Sequence, residues 1–324
     1  MNIALISGLI IAVVLVILLL AGIPISIALG VSSLLAILPT LNFNAAVLTA
    51  AQRTFSGISV FTLIAIPFFI LAGNIMNKGG IAVRLINFAK VLSGRVPGAM
   101  MHTNSVANMM FGAISGSGVA AASAMGTIIG PIAEQDGYER DDMATINIAT
   151  APTGLLIPPS NVLITYSLVS GGTSVAALFM GGYLPGILWG LGCMIVGFFI
   201  ARKKGYVSKE RVTAKQALKI TLDAIPSLLL IIIVIGGIVT GIFTATEGSV
   251  VAVVYSLILS LFFYKTITFK DLYGIFKESA ESTGLIVFLI GVSSIMAWVM
   301  AFTGIPAAVS NAPLSISNSP VVIL

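Results

Sequence analysis

Residues 111–126 read FGAISGSGVAAASAMG. The stretch sets Ser115, Gly116, Ser117 and Gly118 inside an uncharged segment running from 98 to 132. Serine and glycine weaken helices because one competes for backbone hydrogen bonds and the other holds too much conformational freedom. Broken backbone is tolerated at membrane depth only where protein or a watery cavity satisfies it. The position of this tetrapeptide therefore constrains the fold around it.

The surrounding chain is 324 residues long, 58% hydrophobic and only 8% charged. A soluble domain is about a quarter charged, so this composition excludes a water-covered globule. Apolar runs recur at lengths near the ~20 residues of a spanning helix, and the ~10-residue alternation of a β-barrel is absent. An all-α polytopic membrane protein follows. The net charge of +5 sits in short loops, where it sets orientation and implies no nucleic-acid partner. One cysteine (Cys193, within an apolar run) and one histidine (His102) leave no zinc-type ligand cluster. Residues 3–21 lack a basic leader and a cleavage motif, so they read as an uncleaved first helix.

The apolar runs are 3–21, 23–38, 55–77, 98–132, 143–170, 173–201, 220–243, 249–264 and 283–304. The basic breaks at 78–95, 202–219 and 265–281 are placed in the cytoplasm by the positive-inside bias. Segment 39–54 is read as a break with Arg53 alone, and EQDGYERDD at 134–142 as a polar tip. Two crossings separate 142 from 202, so 134–142 is cytoplasmic as well. Segment 98–132 then begins and ends on one side. As a single helix it would be roughly 52 Å long, against a hydrocarbon core of about 30 Å. Split at Ser115–Gly118, each arm extends only about 20–25 Å. The structure that fits is a re-entrant hairpin whose tip stops inside the membrane.

A second interruption, ATAPTGLLIPPSN, occupies 149–161. Pro158 and Pro159 remove two backbone donors, and Gly154 weakens the turn before them. Two half-helices around an unwound segment, or a simple proline kink, are the alternatives; the adjacent hairpin favours the unwound form. Exposed carbonyls and hydroxyls suit Na⁺, and half-helix N-termini suit anions. The pair of interruptions reads as the ion and substrate site of a secondary transporter.

Other classes fit less well. An intramembrane serine protease needs glycine two residues before its nucleophile, but Ser115 precedes Ser117 and Ala113 precedes Ser115. His102 lies too far from the tip and reads as an interfacial polar residue, so no catalytic residues are assigned and the chain is not read as an enzyme. A pore would need a filter-like repeat, which is not seen. Glu247 and Asp223 read as helix-capping or interfacial carboxylates. Amphipathic stretches at 79–93 and 266–281 read as lying on the cytoplasmic face.

FGAISGSG, GYERDDMATINIATAPTGLLIPPS and GIFTATEGSVVAVVYS, in that order and spacing, resemble the large membrane subunit (M subunit, DctM-like) of tripartite ATP-independent periplasmic (TRAP) transporters. The resemblance covers essentially the whole chain. It implies a multi-pass protein of the bacterial inner membrane with the elevator fold of the ion-transporter superfamily. It implies Na⁺-coupled import of a small organic acid, with a small four-helix membrane subunit and a periplasmic substrate-binding protein as partners. A binding-protein-independent Na⁺/carboxylate symporter is the alternative.

Carried over by motif, Gly112, Ser115, Gly154, Ile157 and Pro159 would hold Na⁺, and Ser117, Ser160 and Asn161 would adjoin substrate. Some sialic-acid members of the family carry an aspartate a few residues after the tip, where this chain has Val119–Ala122; sialic acid is not favoured, and a dicarboxylate or other small carboxylate fits at least as well. The resemblance divides the chain into scaffold helices with a linker at 1–97, a transport hairpin and unwound helix at 98–172, and scaffold helices with a second linker at 173–282. Residues 283–324 would begin a second, inverted half, left incomplete where the sequence stops in VVIL, so the chain is not expected to transport alone.

Overall fold

The computed structural model describes residues 3–94, 96–170, 173–206 and 213–309. Every regular element among them is helical: α1 (Ile3–Leu20), α2 (Ile25–Ile37), α3 (Phe43–Ile58), α4 (Ala65–Lys78), α5 (Ile81–Ser93), α6 (Ala99–Ser115), α7 (Gly118–Gln135), α8 (Arg140–Thr150), α9 (Thr153–Leu156), α10 (Asn161–Val169), α11 (Val175–Lys204), α12 (Ala214–Val239), α13 (Ala245–Ile258) and α14 (Phe269–Thr303). A 3₁₀ turn at Phe61–Ile64 leads into α4, and a π turn at Leu259–Phe263 extends α13. Six segments are long and apolar enough to cross a bilayer: Ile3–Leu20, Phe61–Lys78, Val175–Lys204, Ala214–Val239, Ala245–Phe263 and Phe269–Thr303. None of α6 to α10 is among them. Arg95, Lys209, Arg211 and the final VVIL fall outside the described residues.

The chain divides into two compact units, one within Met1–Phe61 and Ser282–Leu324, the other within Thr62–Glu281. In the first, α1 and α2 are tied by the Ser7 hydroxyl, which donates to the Ala36 carbonyl at 2.8 Å. Ile11, Ile37, Val292 and Val299 fill its core. Segment 39–54, read as a break, instead carries most of α3. Asn42 caps that helix by accepting from the Ala45 N–H at 2.9 Å. The sequence there is apolar along one stripe only, which suits an amphipathic helix better than a span. Arg53 on this helix lies over the Trp298 ring, 5.2 Å from its centroid, within cation–π range.

In the second unit the charged breaks meet at one end. Lys78 pairs with Glu278 at 2.5 Å and Arg84 with Asp223 at 3.0 Å. The Thr266 hydroxyl donates to the Gly79 carbonyl. Lys204 bridges Glu139 (2.7 Å) and Asp142 (2.8 Å), and the Gly98 N–H donates to the Tyr206 carbonyl at 3.4 Å. The described parts of the basic stretches, together with 134–142, thus share one end, where α6 begins and α7 finishes. Helix α5, in the amphipathic stretch at 79–93, buries its apolar stripe of Ile81, Leu85, Ile86 and Ala89 within the second unit. Helix α12 begins six residues before the apolar run because Thr213 and Gln216 form a capping box. The amphipathic stretch at 266–281 continues without a break into α14.

Candidate functional site at the hairpin tip and the broken helix

Two residues turn the chain between α6 and α7. Gly116 takes the left-handed conformation at φ 61°, and its N–H donates to the Gly112 carbonyl at 2.9 Å, a glycine stop for a helix C-terminus. Ser117 is extended, and its hydroxyl accepts from the Ala120 N–H at 3.2 Å, an N-cap. The Ser-Gly-Ser-Gly run is therefore a stop signal followed directly by a start signal. The Ser115 hydroxyl, in a residue only 3% exposed, makes only 3.4 Å contacts with the Ser117 backbone, too long to saturate it.

Helix α8 gives way to the single turn of α9, and the chain is extended at Ile157 (φ −78°, ψ 122°). A cis peptide joins Pro158 to Pro159. Ser160 starts α10: its hydroxyl donates to the Leu155 carbonyl at 2.5 Å and accepts from the Leu163 N–H at 3.4 Å. The segment is unwound rather than kinked, because two prolines in succession supply no N–H to carry a helix through.

The tip packs on the break through missing side chains. A methyl group on Gly112 would collide with the Cα of Gly154, and one on Gly116 would sit 3.0 Å from the Pro159 carbonyl oxygen. The Asn161 N–H donates to the Gly116 carbonyl at 3.4 Å. From behind, α11 approaches by a stripe of glycines: side chains at Gly182 and Gly186 would strike the backbone or side chains of Leu156 and Ile157. Small residues four apart allow such close helix contacts in membranes.

Gly112, Gly116, Gly154, Pro159 and Asn161 are thus brought together directly. Ser115 adjoins them at the end of α6, packed against Gly73, and Ile157 lies two residues before Pro159. Residues 157–160 are buried. No donor among the described residues reaches the Ile157, Pro158 or Pro159 carbonyls, and the Asn161 side-chain oxygen has no partner. Buried carbonyls are otherwise almost always paired. This donor set, neutral hard oxygens with unsatisfied lone pairs, fits an alkali cation. The N-termini of α7 and α10 end at the same place, offering partial positive charge to an anion. Of the residues assigned to substrate, Ser117 is half-buried and used as a cap. Ser160 is fully buried with its hydroxyl occupied on both sides. Asn161 keeps a buried side-chain oxygen with no partner.

The sequence reading missed a buried amide cluster one to three turns below the tip. Asn108 Nδ2 donates to Asn147 Oδ1 at 3.0 Å and to Thr150 Oγ1 at 2.8 Å. Asn104 reaches Thr150 at 3.4 Å, and Asn147 donates to the Ala122 carbonyl at 2.8 Å. The cluster ties α6, α7 and α8 together. Its only sequence signal was the i, i+4 spacing of Asn104 and Asn108 in an apolar helix.

The remaining candidates have local roles. Glu247 completes a capping box with Thr244 at the start of α13. His102, read as interfacial, is instead 4% exposed, with Nε2 3.0 Å from the Pro97 carbonyl. Among the described residues no cluster of three His, Cys, Asp or Glu side chains is placed to hold a metal.

Residues 12–324 match the family described as the tripartite ATP-independent periplasmic transporter, DctM component. The chain is 49% identical over 308 residues to the uncharacterized protein YgiK of Salmonella typhimurium, covering 95% of this chain and 71% of that protein. It is 36% identical to the sialic acid TRAP transporter large permease protein SiaM of Vibrio cholerae (85% of this chain, 64% of that protein). It is also 36% identical to the C4-dicarboxylate TRAP transporter large permease protein DctM of Rhodobacter capsulatus (94% and 72%).

Proposed function

The chain belongs to the DctM component family of tripartite ATP-independent periplasmic transporters, integral proteins of the inner membrane, and from that premise we propose that it forms part of a Na⁺-coupled importer of a small organic acid. The substrate would be delivered by a periplasmic binding protein, and a small four-helix membrane subunit would complete the permease. The observation that carries the reading is the meeting of the hairpin tip with an unwound segment whose buried carbonyls have no donor among the described residues.

In this reading Gly112, Ser115, Gly154, Ile157 and Pro159 hold the cation through backbone and hydroxyl oxygens. The cation supplies positive charge that favours a nearby anion and joins tip to break. The chain itself does the rest. Gly112 and Gly154 let the two backbones meet, Gly116 and Ser117 turn the chain, and the α7 and α10 N-termini face the anion. Neutral ligands leave no fixed charge to carry through the membrane, which suits an elevator movement of the hairpin and broken helix against a scaffold. Relatives named for sialic acid, C4-dicarboxylate and isethionate all concern small organic anions. Val119–Ala122 after the tip add no carboxylate of their own, and a dicarboxylate or similar acid is the substrate class we assign.

The test is Ser115→Ala in proteoliposomes containing the partner subunit and binding protein. Uptake should require a higher Na⁺ concentration, by roughly tenfold if the hydroxyl contributes about 1.4 kcal/mol. An unchanged Na⁺ dependence would remove Ser115 from the site.

A further inference from the structure

A groove of about 380 Å³ runs between α8 and α11 in the second unit. Its walls include Ile146, Ala149, Trp189, Gly192, Val196 and Ile200. The polar groups along it are turned into the protein. The Trp189 indole N–H donates to the Ala149 carbonyl at 2.8 Å, and the Thr145 hydroxyl donates to the Asp141 carbonyl at 2.7 Å. Asp142 is held by Lys204 and by the Tyr206 hydroxyl, both at 2.8 Å. What remains facing outward is hydrocarbon.

The length of the groove matches one leaflet. From Ile200 to Trp189 α11 rises about 16 Å, half of a core of about 30 Å. Its mouth lies at the charged end. Residues 189, 193, 196 and 200 share one helix face, and Lys203 continues that face by one turn. Asp141 stands one turn before Thr145 on the opposite wall. Both are exposed, and neither makes an ion pair among the described residues. A trough for an acyl chain thus has, just beyond its lining, an exposed cation on one helix and an exposed anion on the other, neither in an ion pair among the described residues.

We infer that this groove binds a cytoplasmic-leaflet phospholipid with a primary-ammonium headgroup, such as phosphatidylethanolamine, one acyl chain lying along Val196 and Trp189. Lys203 would take the phosphate. Asp141 would take the ammonium, which keeps N–H donors that a trimethylated choline lacks. An anionic headgroup would satisfy Lys203 but leave Asp141 facing like charge.

The chain has two tryptophans, so Trp298→Phe leaves Trp189 in the groove as the sole indole reporter. The purified protein in phosphatidylcholine nanodiscs is titrated with lipids brominated on the acyl chain, carrying ethanolamine, choline or glycerol headgroups. The ethanolamine lipid should quench Trp189 at a mole fraction roughly threefold lower than the other two, the scale of one exposed ion pair. Asp141→Asn with Lys203→Gln should erase that preference while quenching persists. Gly192→Phe, filling a position with nothing within 4 Å, should reduce quenching by all three. Equal midpoints for the three headgroups in the unaltered mouth, a preference for the glycerol lipid, or no quenching because protein covers the groove would each overturn the assignment.

Discussion

Gly112 and Gly154 meet backbone to backbone, so a single methyl group there forces one of two main chains to move. Gly112→Ala should lower stability by about 1–3 kcal/mol, the range for overpacking, and should also abolish Na⁺-stimulated uptake because tip and break separate. Gly236 on α12 is the control, with nothing within 4 Å of an added methyl. Gly236→Ala should be neutral or stabilise by up to about 1 kcal/mol through helix propensity. Thermal melts of both variants in detergent check the pair. Equal melting temperatures would mean that the close approach at Gly112 is relieved without consequence. The comparison separates two uses of glycine that composition cannot distinguish. One permits contact, and the other occupies a helix position that makes no demand on side-chain size.

At the scale of elements, α6 and α8 are held in register by amides rather than by charge. Asn108→Leu removes the donor that serves Asn147 and Thr150. It should destabilise the protein by about 1–2 kcal/mol, since the buried Asn147 side-chain oxygen loses its donor while Thr150 keeps its bond to the Ile146 carbonyl. A double-mutant cycle with Thr150→Val should give a coupling nearer ~0.6 kcal/mol, the average for such bonds in membranes. A coupling indistinguishable from zero would make the cluster incidental.

The α8–α11 tie is ionic and so depends on pH. Burial raises the Asp142 carboxyl, but hydrogen bonds from Lys204 and Tyr206 outweigh that and hold it below its ordinary value. Its contribution is therefore complete above the ordinary carboxylate range and is lost as pH falls through the lowered value. The melting-temperature gap between wild type and Lys204→Met should be widest near neutrality and close below about pH 4. A gap that widens on acidification would reverse the sign and refute the tie.

The tip and the break were legible because Gly-Ser and Pro-Pro act locally, on their own backbone. The Asn104–Asn108–Asn147–Thr150 cluster was not, since amides in apolar helices gain meaning only from which helices face each other. The Gly182–Gly186–Gly190 spacing was visible but unused. The true start of α12 and the helix across 39–54 depended on caps at Thr213 and Asn42, which hydropathy does not register.

For the molecule as a whole, the decisive matter is which side of the membrane each connection occupies. Lys78–Glu278, Arg84–Asp223 and Lys204 with Glu139 and Asp142 gather four connections at one end of the second unit. Lys and Arg in short loops place such an end in the cytoplasm. Helix α6 leaves that end at Gly98 and α7 returns to it at Gln135, with the turn only 17–18 residues away. At 1.5 Å per residue each arm covers about 26 Å, short of a core of about 30 Å, so the hairpin is expected to enter and leave on one face. The connection between α12 and α13, where Ile242 is 73% exposed, must then lie on the other face, one crossing away. Single cysteines at Val96, Gln135 and Ile242 in a Cys193→Ala background test this with an impermeant maleimide. Val96→Cys and Gln135→Cys should react in inside-out vesicles and stay silent in right-side-out ones. Ile242→Cys should do the reverse. If Val96→Cys and Gln135→Cys label from opposite sides, segment 98–132 crosses the membrane. The tip would then no longer be a re-entrant turn, and the oxygen cluster at Pro159 would lose its place at the depth where a transported ion must be held.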